Sequence, residues 1–253
     1  LKDIEIDKKG GWNESTALMK AAGANHISVV KELVSYKAGL NIQNDFGFTA
    51  LMIAAERGRK EIVEYLIVQH AEVNIRNIYD FTALILASEY GWRQTVKILC
   101  EEGKAQKEAA NQFGKTALIM AAEFNRYGTL EELLSQGANQ NHMSKKGKTA
   151  LMLAAVKGHK DIVRLLLNCR AAVHYLDSDG WCALTLSFIA KDKSIAIMLM
   201  EQRAYDVEIG EKGWTPLMKA AEFGRVDIVE ELLNKLPLEK RKEECDKQAT
   251  VRY

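Results

Sequence analysis

The stretch NDFGFTALMIAAERG, residues 44–58, decides how the chain is read. Its Asp45-Phe46-Gly47 is the tripeptide that holds magnesium in protein kinases. That aspartate works only beneath a Gly-rich loop, with a paired lysine and glutamate and a catalytic loop upstream. Only 44 residues precede Asp45, too few for that machinery, and no G-x-G-x-x-G frame surrounds Gly10-Gly11. The tripeptide needs another explanation, and it lies one period further along the chain.

Thr49-Ala50-Leu51 is one of seven copies. The others begin at Thr16, Thr82, Thr116, Thr149, Cys182 and Thr215, spaced by 33, 33, 34, 33, 33 and 33 residues. Glycine stands two residues before the anchor at Gly47, Gly114, Gly147, Gly180 and Gly213; Glu14 and Asp80 replace it in the other two. Asp45-Phe46-Gly47 is thus a repeated turn, matched by Gln112-Phe113-Gly114 and Ser178-Asp179-Gly180. The same frame accounts for Gly114-Lys115-Thr116 and Gly147-Lys148-Thr149, which resemble the ends of phosphate loops. Ala109 and His142 stand where such a loop requires its first glycine.

Each unit reads as a tight turn and two helices. Gly47 suits a turn position where a Cβ is unwelcome. Thr49 caps the first helix, and Pro216 at the first helical position of the last copy fits that register. The pairs Ala21-Ala22, Ala54-Ala55, Ala121-Ala122, Ala154-Ala155 and Ala220-Ala221 let neighbouring helices approach closely. Gly58, Gly91, Gly158 and Gly224 end those helices. Ile62-Val63 followed by Leu66-Ile67 gives the second helix a one-sided apolar stripe. An Ala-x-x-Asn loop, as in Ala71 to Asn74, closes the unit. Such a unit cannot bury its apolar face alone; stacking does so, and a period of this length implies a solenoid.

The pattern G-x-T-A-L-M-x-A-A-x-x-G-x-x-x-I-V-x-x-L-L resembles the ankyrin repeat. The resemblance implies an all-α ankyrin-repeat solenoid of about seven repeats, with a β-turn and two antiparallel helices in each. Expected boundaries are 11–43, 44–76, 77–110, 111–143, 144–176, 177–209 and 210–236. Residues 1–10 form a lead-in or the end of a preceding repeat, and 237–253 a charged tail or capping helix. The histidine usual three residues after the Thr is replaced by Met19, Met52, Ile85, Ile119, Met152, Thr185 and Met218, so apolar packing is expected in place of its polar link. This "TALM" form is similar to arrays expanded in some protists, alone or behind a NIMA-related kinase domain.

Composition narrows the partners. With 35 basic and 34 acidic residues, nothing calls for nucleic acid. The 47% hydrophobic content suffices for a stacked core, yet no apolar run approaches the ~20 residues of a membrane helix. Leu1-Lys2-Asp3-Ile4 has no signal-peptide profile or initiator methionine, so a fragment, or a chain lacking its first residues, is expected. Cys100, Cys169, Cys182 and Cys245 lack C-x-x-C spacing, which points to a reduced cytoplasmic protein. The sequon Asn13-Glu14-Ser15 lies in a repeat turn and is read as chance. His26, His70, His142, His159 and His174 have no helical pairing, and no metal, cofactor or catalytic set is expected.

Three places depart from the period. Repeat 3 carries the inserted residue within Glu102 to Ala110 and lacks the Ala-x-x-Asn closure; the insertion is expected in the connection before repeat 4. Repeat 6 has Cys182 for the capping Thr, Ser187-Phe188 for the alanine pair and Lys191 for the helix-ending glycine. The lost cap is worth about 1 kcal/mol, and Phe188 is large for a close helix contact, so this repeat is expected to be the softest. After Leu233, Pro237 interrupts the pattern, and Glu239 to Lys247 is a charged run.

Ankyrin arrays, as the resemblance implies, lack a catalytic centre and bind proteins with turn tips and first helices along a concave face. The tips here are aromatic: Trp12, Phe46, Phe48, Tyr79, Phe81, Phe113, Trp181 and Trp214. Tyr90 and Phe124 extend them on the first helices, with Glu56, Glu89, Glu123 and Glu222 at one repeated position. Lys115, Lys145, Lys146, Lys148 and Lys157 make the middle of the array basic. Phe48, Phe81, Trp181 and Trp214, next to the Thr, are open to two readings: packing on the neighbouring turn, or partner contact. The row Phe46, Tyr79 and Phe113 is harder to explain by packing and is the expected anchor, with Tyr90 and Phe124 beside it. A monomeric scaffold binding a protein partner is the first functional expectation. The alternative is a regulatory or targeting region of a larger enzyme, a kinase encoded upstream.

Overall fold

Six of the seven first helices start from a threonine hydroxyl. Thr49 accepts the Met52 N–H at 3.2 Å and opens α3, Ala50–Glu56. Thr16, Thr82, Thr116, Thr149 and Thr215 do the same for α1 (Ala17–Gly23), α5 (Ala83–Tyr90), α7 (Ala117–Glu123), α9 (Ala150–Lys157) and α13 (Pro216–Glu222). Each cap satisfies a donor the helix cannot, a contribution of about 1 kcal/mol. At the far end the backbone turns left-handed at Gly58 (φ +66°), and the Arg59 N–H returns to the Ala54 carbonyl at 2.8 Å.

The second helices follow at once: α2 (Ile27–Ser35), α4 (Lys60–Val68), α6 (Arg93–Glu101), α8 (Tyr127–Ser135), α10 (Lys160–Asn168), α12 (Ser194–Glu201) and α14 (Val226–Lys235). Between α10 and α12 lies the first helix of repeat 6, α11 (Ala183–Ser187). The computed structural model describes residues 5–190, 192–202, 204 and 213–235. Among these it has fourteen helices in seven pairs and no strand beyond isolated bridges. Lys191, Pro237, Cys245 and the charged run from Glu239 to Lys247, for which the sequence carries expectations, lie outside the described residues.

The chain divides into two compact units, Leu1–Asn139 and Gln140–Tyr253. In the first, α1, α3, α5 and α7 pack in sequence as one layer, and α2, α4, α6 and α8 as the other. In the second, α9, α11 and α13 form one layer and α10, α12 and α14 the other. The core lies between layers. Ala54, Ala55, Ala121 and Ala122 are fully buried where first helices meet, and Ile62, Val63, Leu66, Val96, Leu99, Leu130 and Leu133 fill the interior. In α2 the stripe is thinner: Val29 is exposed and only Val30 is buried.

Polar ladders bind consecutive repeats. On the loop side, Asn41 accepts the Glu72 N–H, Asn74 the Gln106 N–H and Asn141 the Ala172 N–H, at 2.9, 2.9 and 2.8 Å. Repeat 3 keeps this ladder after all: Ala105 is buried as in its counterparts, and Glu108 accepts the Asn139 N–H at 2.8 Å. A longer acidic side chain substitutes for asparagine. The inserted residue sits between α6 and Ala105, where Gly103 packs so tightly that a Cβ would lie 2.9 Å from the Leu99 carbonyl.

Repeat 6 has its own repair. The Thr185 hydroxyl accepts the Cys182 N–H at 3.1 Å and donates to the Cys182 carbonyl at 3.0 Å, a polar link that in repeat 5 is made only by the Met152 sulfur, 3.5 Å from the Thr149 nitrogen. Helix α11 is five residues long, against seven or eight elsewhere. Phe188 is buried just beyond it, in a turn held by bonds spanning three residues. The helix stops before the large side chain instead of admitting it to the close contact.

Candidate protein-interaction face

The turn tips are set by buried side chains. Asn77 accepts the Tyr79 and Phe81 N–H groups, both at 2.9 Å, and is itself nearly inaccessible. Asn44, Asn111 and Asp177 hold their own tips by the same pair of bonds, and Ser144 by one of them. These side chains mimic a backbone turn. Adjacent tips then join directly. The Ile78 N–H donates to the Phe46 carbonyl at 3.2 Å, the Gln112 N–H to the Tyr79 carbonyl at 3.1 Å, and the Ser178 N–H to the Lys146 carbonyl at 3.0 Å. At Gly47 (φ +76°) a Cβ would lie 2.8 Å from the Asn77 Cα, so the tips have no room for another residue there. Glu14 and Asp80, the two positions without glycine, still adopt the left-handed turn, at φ +48° and +60°.

In the first unit the aromatic row is present but unequal. Tyr79 and Phe113 are 43% and 55% exposed. Phe46 is half-buried, its ring 5.7 Å from that of exposed Trp12. Part of the Phe46 ring is thus taken up by packing, and it is less open than Tyr79 and Phe113. Phe48 and Phe81 are half-buried. Tyr90 and Phe124, at the ends of α5 and α7, are 46% and 42% exposed. Lys115, in the position of Phe48 and Phe81, reaches the Glu123 carboxylate at 2.6 Å, so a tip and the end of its first helix share one face.

In the second unit Lys145 and Lys146 are exposed, whereas Lys148 lies 3.7 Å from buried Asp177. Trp181 and Trp214 flank the Lys219 ammonium at 4.7 and 4.3 Å, and the Trp181 ring lies 5.8 Å from that of Phe223. Both tryptophans are engaged within the chain.

A family model described as ankyrin repeats (three copies) matches residues 1–77, 68–144, 126–209 and 171–247. The chain belongs to the ankyrin repeat family. Comparison with curated proteins gives no match. No helix among the described residues is long and apolar enough to cross a membrane, and among them no cluster of histidine, cysteine and carboxylate side chains is placed to hold a metal ion.

The ankyrin frame also positions groups that sequence reasoning passed over. Trp92, Arg126 and Arg225 occupy one repeat position and reach back to the preceding repeat's first-helix end. Trp92 donates to the Glu56 carbonyl at 2.7 Å and Arg126 to the Glu89 carbonyl at 2.8 Å. Arg225 donates to the Phe188 and Ala190 carbonyls at 2.8 and 2.7 Å. The tip anchors had a signal, an Asn, Ser or Asp five residues before the Thr from Asn44 to Asp177.

The electrostatics of the first unit are uneven. Burial raises the Glu56 carboxyl above the ordinary glutamate range, against a smaller opposing pull from Arg57. Glu89 is raised by burial and then by Glu56 and Glu123, with Lys115 and Arg126 opposing. The Tyr90 hydroxyl is pushed up by burial and by the Glu56 and Glu89 charges. Burial pushes the Cys100 thiol up to about 11, which makes it a poor nucleophile.

Proposed function

We propose that this chain is a non-enzymatic protein-interaction module that binds a protein partner through turn tips and first helices. Ankyrin repeats are generally protein-binding modules, and the observation that carries the reading here is the set of exposed rings Tyr79, Phe113, Tyr90 and Phe124 in the first unit. Their tips are already fixed by the Asn77 and Asn111 turns, so little ordering entropy is lost on binding. Exposed aromatic anchors on rigid backbone suit an interface hot spot. Phe46, Phe48 and Phe81 support these anchors from half-buried positions. Lys145 and Lys146 of the second unit offer a separate basic contact; Lys148, Trp181 and Trp214 act there through internal packing.

The test is capture from a lysate of the source cell with the full chain and with a Tyr79→Ala/Phe113→Ala/Tyr90→Ala/Phe124→Ala version shown by circular dichroism to be folded. A protein held by the first and released by the second supports the reading. A captured protein held equally by both moves the site elsewhere.

A further inference from the structure

We infer that the aromatic face of the first unit takes a protein segment bearing lysine or arginine, its cationic head seated between Glu56 and Glu89 beside the Tyr90 ring. The inference rests on the interaction-face reading and adds the chemistry of the partner.

Four exposed rings, Tyr79, Tyr90, Phe113 and Phe124, come from two consecutive repeats and have no ring partner of their own among the described residues. The face carries carboxylates at one register, Glu56 in α3, Glu89 in α5 and Glu123 in α7. Their local cations are unevenly spent. Lys115 is committed to Glu123 at 2.6 Å. Arg126 donates its Nε to the Glu89 backbone carbonyl, and Arg57 donates to the Gly23 carbonyl at 3.2 Å. Ion pairs of this unit join Arg76 with Asp80, Arg93 with Glu131 and Glu132, and Lys115 with Glu123, and among the described residues none engages Glu56 or Glu89.

Glu56 and Glu89 are half-buried, lie within each other's field and have no ion pair among the described residues, and the charges of Arg57, Lys115 and Arg126 offset that cost only in part. A guanidinium or ammonium placed between the two carboxylates relieves that repulsion. It also gains the face of an exposed tyrosine for cation–π contact and charge-assisted hydrogen bonds. An anionic partner meets the opposite situation: two carboxylates repel it, Lys115 is ion-paired, and Arg57 and Arg126 each hold a backbone carbonyl.

The test is selection of displayed random peptides on the full chain. Synthetic versions of the winners are then titrated against wild type, Glu56→Gln/Glu89→Gln and Tyr90→Ala/Phe124→Ala. Winners are expected to share a fixed lysine or arginine, to lose about tenfold or more in affinity on Glu56→Gln/Glu89→Gln, and to weaken as salt rises. The glutamine replacements keep shape and remove like charge, so that variant is expected to melt at or above the wild-type temperature at neutral pH. A lower melting temperature would mean that the carboxylates already have partners, and overturns the inference. Winners without a basic residue overturn the cationic assignment alone. So do winners that ignore the glutamines but are lost on Tyr90→Ala/Phe124→Ala, and both results leave the interaction face standing. Winners indifferent to both variants, or no winners at all, overturn the face as well.

Discussion

Gly58→Ala isolates what holds one repeat to the next. Gly58 lies at φ +66°, and a Cβ built there falls 2.4 Å from Trp92 Cδ2 and 2.7 Å from Cε3. Two costs follow. The left-handed conformation disfavours alanine by about 1 kcal/mol. The indole must also move, which breaks its 2.7 Å bond to the Glu56 carbonyl, a loss of about 1 kcal/mol. Displaced packing adds roughly 1–3 kcal/mol. Gly58→Ala is therefore expected to destabilise by about 3–5 kcal/mol in all. In a Trp92→Ala background only the backbone term of about 1 kcal/mol remains. Urea titration followed by far-ultraviolet circular dichroism measures all four corners of the cycle, with hydrogen exchange of α3 and α4 reporting locally. Gly158→Ala is the control: its φ is +79° but the nearest atom, Ala190 Cβ, lies 3.9 Å away, so about 1 kcal/mol is expected. An equal cost for Gly58→Ala with and without the Trp92 ring would refute the steric account.

Glu14→Gly should stabilise the chain by up to about 1 kcal/mol, since an exposed side chain there holds a left-handed backbone (φ +48°) for no visible contact; a lowered melting temperature would contradict this. Glu89→Gln should flatten the pH dependence of stability. The folded Glu89 carboxyl is raised above its unfolded value, so its contribution is full below the ordinary value of 4.5 and is lost as pH rises through the raised one. Melting temperatures measured across that window should fall more steeply for wild type than for the variant. Thr185→Val should cost about 1–3 kcal/mol by leaving the buried Cys182 N–H without its acceptor, read by urea titration. Hydrogen exchange should find repeat 6 the least protected internal unit, because its first helix, five residues long, is shorter than the others and ends in a tighter turn. Uniform protection from repeat 2 to repeat 6 would remove that reasoning.

The fold was legible because its determinants recur in single letters. A threonine hydroxyl, a glycine at the turn and paired alanines act through backbone geometry and size, and both survive copying at a fixed period. Where the letter changed, the reading failed although the interaction persisted. Glu108 does the work of asparagine, and Thr185 supplies a polar link in a repeat that has lost its cap. The tip anchors were missed for a related reason: Asn44, Ser144 and Asp177 differ as letters but present the same acceptor to the same N–H. The candidate site was less legible, since exposure is decided by neighbours a whole repeat away. Phe46 and Phe113 share a repeat position, yet Trp12 covers one and leaves the other open. Trp181 and Trp214 read equally as packing or as contact residues, and Lys219, a helix residue with no sequence signal of its own, lies against both rings. Charge behaves likewise. Glu56, Glu89 and Glu123 are one letter at one register, but Lys115 forms an ion pair with the third alone. A periodic sequence thus reveals which positions face outward. Which of them remain unsatisfied, and so available to a partner, depends on the few non-periodic residues that reach across from the adjoining repeat.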